Sequence, residues 1–116
     1  MNLKGWLLLG LFALSLGVLN ASAEPLALLS RASENTVDLS LGTAQRQWLD
    51  GVAVLRAGVY LPDRPPLDIT ANQKDYEGLS ADYLDILTRA LDVRVKVERY
   101  ASQSEALAAL RRGEVD

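Results

Sequence analysis

The sequence predicts an α/β fold built on a parallel βαβα unit, and three observations carry that expectation. Val52–Val59 (VAVLRAGV) is a short apolar run with one charge, Arg56, as expected of a strand covered on both faces. A helix-length amphipathic stretch separates it from a second strand pattern at Val93–Val97, and strands joined by such a crossover must be parallel. A further helical stretch then follows, so strands and helices alternate.

Taken in order, Met1–Ala23 fits a secretory signal peptide. Lys4 supplies the positive end, Trp6–Leu19 the apolar run, and Ala21-Ser22-Ala23 a small-x-small cleavage site. As a helix that run spans about 21 Å, short of the ~30 Å needed to cross a bilayer. Cleavage after Ala23 and periplasmic export are therefore expected. Residues 24–43 lack a sustained period and read as an extended lead-in with one short strand at Thr36–Leu41. Residues 44–116 read as the folded part. Thr43 is placed to cap a helix over Ala44–Asp50 that buries Trp48 and Leu49 and ends at Gly51.

After the first strand comes Tyr60-Leu61-Pro62-Asp63-Arg64-Pro65-Pro66, where three prolines forbid helix and predict a stiff loop. Leu67–Thr70 is a brief extended piece and Ala71–Gly78 a polar turn. Ser80 is expected to cap a helix over Ala81–Leu91, with Tyr83, Leu84, Leu87, Ala90 and Leu91 inward and an exposed Asp85–Arg89 pair. Val93, Val95 and Val97 alternate with Arg94, Lys96 and Glu98, the pattern of an edge strand. Tyr100–Ser102 turns the chain. Ser102 or Ser104 caps the last helix, Ala106, Leu107 and Leu110 face inward, and Gly113 ends it. Glu114-Val115-Asp116 stands where a third strand begins. Two parallel strands alone cannot cover two helices, so the unit reads as an incomplete one, the start of a larger domain.

Composition removes several classes of chemistry. The chain has neither Cys nor His, which excludes thiol nucleophiles, disulfides, His-based acid–base catalysis and the usual zinc sites within it. Without the leader, 11 basic residues face 15 acidic ones, and no basic stripe suited to nucleic acid is present. No phosphate-binding glycine motif follows the first strand. Asp63 with Asp68, and Asp75 with Glu77, have the look of carboxylate dyads but are better read as turn-forming, solvated groups. Arg111-Arg112 reads as a solvated helix end. No cofactor, metal or catalytic residue is expected, and this chain is not read as an enzyme.

In open α/β sheets ligands bind beyond the carboxyl ends of the strands, which is where the proline loop lies. Tyr60, Asp63 and Arg64 offer an aromatic face, an acceptor and a planar donor there. From spacing alone the commoner reading is that they are ordinary surface loop residues.

VLRAGV, PP-L-D-I-T, DYEGLSADYLDILTRAL, VRVKVERY and SEALAALRRGEVD together resemble the start of a family 3 periplasmic solute-binding domain, over about Gln45–Asp116. Pro65-Pro66, Gly78, Ala109-Leu110, Gly113 and Asp116 stand at the family's marked places. The lead-in QRQWLDGVAVLRAGV and the stretch DYEGLSADYLDIL are similar to the first Venus flytrap domain of Bvg/Evg-type hybrid sensor histidine kinases. The resemblance implies the start of lobe one of a two-lobed periplasmic-binding-protein-like fold that closes on a small polar solute, commonly an amino acid or related carboxylate. The candidate ligand contacts are Tyr60, Asp63 and Arg64, from their place on the loop, and Leu67, from its place after Pro-Pro in the family pattern. Arg64 and Leu67 stand where relatives carry aromatics, and Gln103 where a tryptophan is common. Membrane attachment would come from sequence beyond this stretch, with a homodimer one arrangement open to the parent. Two other parents share the resemblance, a soluble binding protein of an ABC importer and the regulatory domain of a membrane-bound lytic transglycosylase.

Overall fold

A computed structural model describes residues 22–34 and 37–116. The elements are β1 (Glu24–Leu28), α1 (Thr43–Asp50), β2 (Val54–Tyr60), β3 (Asp75–Tyr76), α2 (Leu79–Leu91), β4 (Arg94–Tyr100) and α3 (Gln103–Arg111). They form a mixed, mostly parallel four-stranded sheet in the order β2-β4-β1-β3. The expected parallel pair is β2 with β4, in register from Val54 opposite Arg94 to Tyr60 opposite Tyr100.

Two strands differ from the expectation. The lead-in contributes β1, which pairs antiparallel with β4 through Glu24–Leu26 and parallel with β3 through Ala27 and Leu28. Residues 37–41 form no strand. The polar stretch 71–78 contains β3, whose Tyr76 is buried. Both strands are very short, and their pairing comes from residues distant in the chain, which leaves little local periodicity to betray them. With β1 added, β4 becomes an inner strand rather than an edge. Its alternation has another source: β1 reaches only Val97–Arg99, and the Arg94 and Lys96 side faces solvent.

Alternation along the strands separates two cores. Leu26, Tyr76, Ala81 and Val97, with Ala57, Val59, Leu84 and Val95, pack between the sheet and α2. On the other face Tyr100, Ala106, Ala109 and Val115, with Tyr60, pack under α3. Small residues let α3 lie close to the strands, and Leu107 and Leu110, expected inward, are exposed. The same close approach accounts for Gly58, where a Cβ would meet Val115 Cγ2 at 3.2 Å and Tyr100 Cε2 at 3.3 Å. Asp116 donates its N–H to the Arg56 carbonyl at 2.8 Å, continuing the sheet beyond β2.

Helix ends and faces also shift. Gly42 occupies the cap position of α1, its N–H held by Gln45 Oε1 at 2.8 Å, where Thr43 was expected. Trp48 is 71% exposed rather than buried: α1 buries none of its residues, and the indole, with Leu41, Leu49 and Leu91, lines an open apolar groove of about 450 Å³. Gly78, not Ser80, caps α2, and the helix buries Ala81 and Thr88 while Tyr83 and Leu87 point outward. Its inward face is thus rotated from the one that the large apolar residues mark. Thr88 is accommodated because its hydroxyl donates to the Leu84 carbonyl at 2.9 Å. The Asp85–Arg89 pair forms at 2.9 Å, and Ser102 caps α3 by accepting the Glu105 N–H at 3.2 Å. The leader expected at Met1–Ala23 lies, up to Ala21, outside the described residues.

Candidate functional site

The parallel pair β2 and β4 ends side by side at Tyr60 and Tyr100, and the Leu61 N–H still bonds the Tyr100 carbonyl at 3.1 Å. The chain then leaves the sheet into the proline loop at the carboxyl ends of both strands. Pro65-Pro66 sits at the tip of a tight turn, closed where Arg64 and Asp68 exchange backbone hydrogen bonds of 2.9 and 3.1 Å.

Side chains hold the loop in three places. Asp63 accepts from the Thr70 N–H at 2.8 Å and the Thr70 hydroxyl at 2.7 Å, which closes the neck. The Pro66 and Leu67 carbonyls accept the N–H groups of Leu79 and Ser80, both at 3.1 Å, and so satisfy donors that the first turn of α2 would otherwise leave open. That approach requires Gly78, whose φ is 106° and whose added Cβ would lie 2.3 Å from the Leu67 carbonyl oxygen. Asp68 is the third clamp. Its Oδ1 accepts from the buried Tyr76 hydroxyl at 2.7 Å and its Oδ2 from Arg64 at 2.5 Å.

The electrostatics follow from this network. Burial alone would raise the Asp68 carboxyl, but hydrogen bonds from Tyr76 and Ser80 and the Arg64 charge hold it below its ordinary value. Burial and the bond to Asp68 push the Tyr76 phenol up, so it stays a donor. Arg64 is held charged, first by the field of Asp68, and lies 5.1 Å above the centre of the Tyr60 ring.

The four nominated residues are therefore on one loop in different states. Tyr60 and Arg64 are brought together, Leu67 leaves its side chain exposed, and Asp63 is occupied with Thr70. Asp63 and Asp68 are separately engaged rather than a dyad. Sequence reasoning missed Asp68 and Tyr76 as the loop's anchors, and missed Arg99. Arg99 is buried at the end of β4, pairs with Glu24 of β1 and points toward the Thr70 carbonyl at 3.5 Å. Glu24, Leu61, Arg99 and Tyr100 line a hollow of about 100 Å³ beside the loop. Among the described residues no His/Cys/Asp/Glu group is arranged to hold a metal, and no helix is long and apolar enough to cross a membrane.

No protein-family model matches the chain. The virulence sensor protein BvgS of Bordetella bronchiseptica is 39% identical over 95 residues, 82% of this chain and 8% of that protein. Sensor protein EvgS of Escherichia coli K12 is 34% identical over 88 residues, 73% of this chain and 7% of that protein. The chain thus spans less than a tenth of the length of these curated relatives. The crystal structure of the Bordetella pertussis BvgS periplasmic domain superposes with a TM-score of 0.74 at 40% identity, covering 80% of this chain and 18% of that one. The BvgS periplasmic VFT2 domain matches in fold, with a TM-score of 0.59 at 22% identity over 66% of this chain and 32% of that one. The α/β unit and its loop are homologous to part of the periplasmic Venus flytrap sensor domain of the BvgS and EvgS sensor proteins.

Proposed function

We propose that this chain is the opening part of lobe one of a periplasmic Venus flytrap sensor domain in a membrane sensor histidine kinase. The observation that carries the reading is the match to the BvgS periplasmic domain at 40% identity and a TM-score of 0.74. The BvgS and EvgS relatives are sensor proteins, which favours this parent over an ABC importer's binding protein. Binding of a small polar solute at the loop would shift the balance between open and closed lobes and bias the kinase. Tyr60 and Arg64 present the contact surface, Leu67 flanks it, and Asp63 acts by keeping the loop shaped around Thr70. The chain itself performs no catalysis in this reading; the leader exports it, and the membrane anchor belongs to sequence outside it.

The test is phosphorylation of the full-length gene product in membrane vesicles with labelled ATP. Autophosphorylation whose level changes in Arg64→Ala, with protein abundance unchanged, is expected. A product that incorporates no phosphate in any condition, or whose labelling ignores changes in the loop, overturns the reading.

A further inference from the structure

Away from the proline loop, at the pole where β2 and β4 begin, two hollows meet. The apolar groove is lined by Leu41, Ala44, Gln45, Trp48, Leu49 and Leu91. Its one polar side chain, Gln45, spends its amide oxygen on the Gly42 N–H at 2.8 Å. An extended peptide laid there would bury unpaired backbone groups, whereas a helix satisfies its own. A second hollow of about 500 Å³ adjoins the groove through Leu49 and Leu91, between the C-terminal ends of α1 and α2. Its charged residues are Arg46, Asp50 and Asp92, and Arg46 donates to the Leu91 carbonyl at 3.3 Å. Asp50 is the last residue of α1, and Asp92 is the C-cap of α2, in the left-handed region with φ 55°. Both carboxylates thus stand at the negative ends of helix dipoles, where a cation is the stabilising neighbour, and the last turn of α1 carries no basic residue.

Resting on the sensor-domain reading above, we propose that these two hollows dock an amphipathic helix from the remaining periplasmic part of the same polypeptide. Its apolar stripe lies against Trp48, and a lysine or arginine on its flank reaches between Asp50 and Asp92. Length supplies such a helix. The 80% of this chain that superposes on the BvgS periplasmic domain makes up 18% of that chain, so most of a relative's periplasmic sequence lies outside this stretch. Size decides against a free partner. A specific interface between separate molecules takes about 20–30 residues a side, whereas eleven line the two hollows together. A tethered segment needs far less contact, because its linker holds it at high effective concentration. The groove stands at the amino ends of β2 and β4 and the proline loop at their carboxyl ends, so docking leaves the loop open.

Photocrosslinking of the full-length protein in membranes tests this. Trp48 is replaced by p-benzoylphenylalanine, the membranes are irradiated, and crosslinked peptides are mapped by mass spectrometry. The expected product runs at the monomer mass. It joins position 48 to a periplasmic peptide beyond Asp116 that has apolar residues three and four apart and a flanking Lys or Arg. In the double variant Asp50→Asn/Asp92→Asn, where asparagine tolerates the left-handed cap, the yield is expected to fall at least twofold. Gln47→Lys, on the exposed surface of α1 outside both hollows, is expected to leave it unchanged. A product at dimer mass, a product with another protein, crosslinks confined to residues 22–116, or none at all each overturns the proposal. So does a yield that the aspartate changes do not lower, or that Gln47→Lys lowers as much. Kinase labelling is read on the same membranes. Phosphorylation without the intramolecular crosslink refutes the docking alone, whereas the crosslink without phosphorylation refutes the sensor-kinase parent alone.

Discussion

Replacing Gly78 with Ala tests the junction between the proline loop and α2. At φ 106° and ψ −177° the residue occupies backbone space that is essentially restricted to glycine, with a strain of about 1–3 kcal/mol for any other residue. The new methyl would stand 2.3 Å from the Leu67 oxygen and 2.8 Å from both the Leu67 carbon and the Pro66 oxygen, all backbone atoms. Relief requires the loop to retreat, which surrenders the two bonds from Leu79 and Ser80, about 1 kcal/mol each. The sum is about 3–5 kcal/mol. In urea unfolding of the full periplasmic region, followed by far-ultraviolet circular dichroism, a slope near 2 kcal/mol/M converts this to a midpoint lowered by about 1.5–2.5 M. Gly113→Ala is the control. It also has positive φ, 72°, but open space around it, so strain alone applies at about 1 kcal/mol. If Gly78→Ala unfolds within 0.5 M of wild type, the loop does not cap α2 through this contact.

Asp68 makes stability pH-dependent. Its folded pKa lies below the ordinary 3.8, so its contribution is complete above that value and fades as pH falls through the lowered one. Wild type should therefore lose more stability than Asp68→Asn on acidification from pH 5 to 2, and parallel curves would show that Asp68 carries no such linkage. Glu24→Gln removes the carboxylate facing the buried Arg99. Because Glu24 is itself half exposed, a cost of about 1–2 kcal/mol is expected, read as a lower urea midpoint; an unchanged midpoint would show that β1 is held by its backbone alone. Residues 24–116 expressed alone should melt broadly with weak near-ultraviolet signal and bind small solutes poorly, since Leu79, Tyr83, Leu87, Leu107 and Leu110 stay exposed. A sharp cooperative transition would contradict that.

The parts of the fold that were legible are those with a local signal. The apolar run at Val54–Tyr60, the alternation at Arg94–Tyr100 and two helix-length stretches identify the parallel pair and its crossover. Strands β1 and β3 escaped because a two-residue strand has no period, and Glu24–Leu28 holds one buried residue, Leu26. Large apolar residues misled the choice of face. Tyr83 and Leu87 lie four apart and look like a core stripe, yet Ala81 and Thr88 are buried because α2 needs small residues where it approaches the sheet. Trp48 is the same error in α1, where size stood in for burial.

The loop was legible as a place before its wiring was. Prolines after a strand located it at the carboxyl ends of the sheet, and Tyr60 and Arg64 do meet there. Its anchors were hidden because each depends on a partner whose position is set by tertiary structure. Asp68 looked like a solvated turn carboxylate, but β3, itself unreadable, brings the Tyr76 hydroxyl to it. Asp63 looked free to meet a ligand, but the return of the chain at Thr70 takes up both of its oxygens. The consequence is a division of labour that residue types alone do not express. Of the two aspartates in a short acidic loop, one closes the neck and the other aims an arginine. Substituting Asp63 should therefore loosen the whole loop, whereas substituting Asp68 should misdirect Arg64 first. Hydrogen exchange at the Thr70 amide separates the two: faster exchange is expected in Asp63→Ala and little change in Asp68→Asn. Equal acceleration in both would mean that the loop moves as one clamp rather than two.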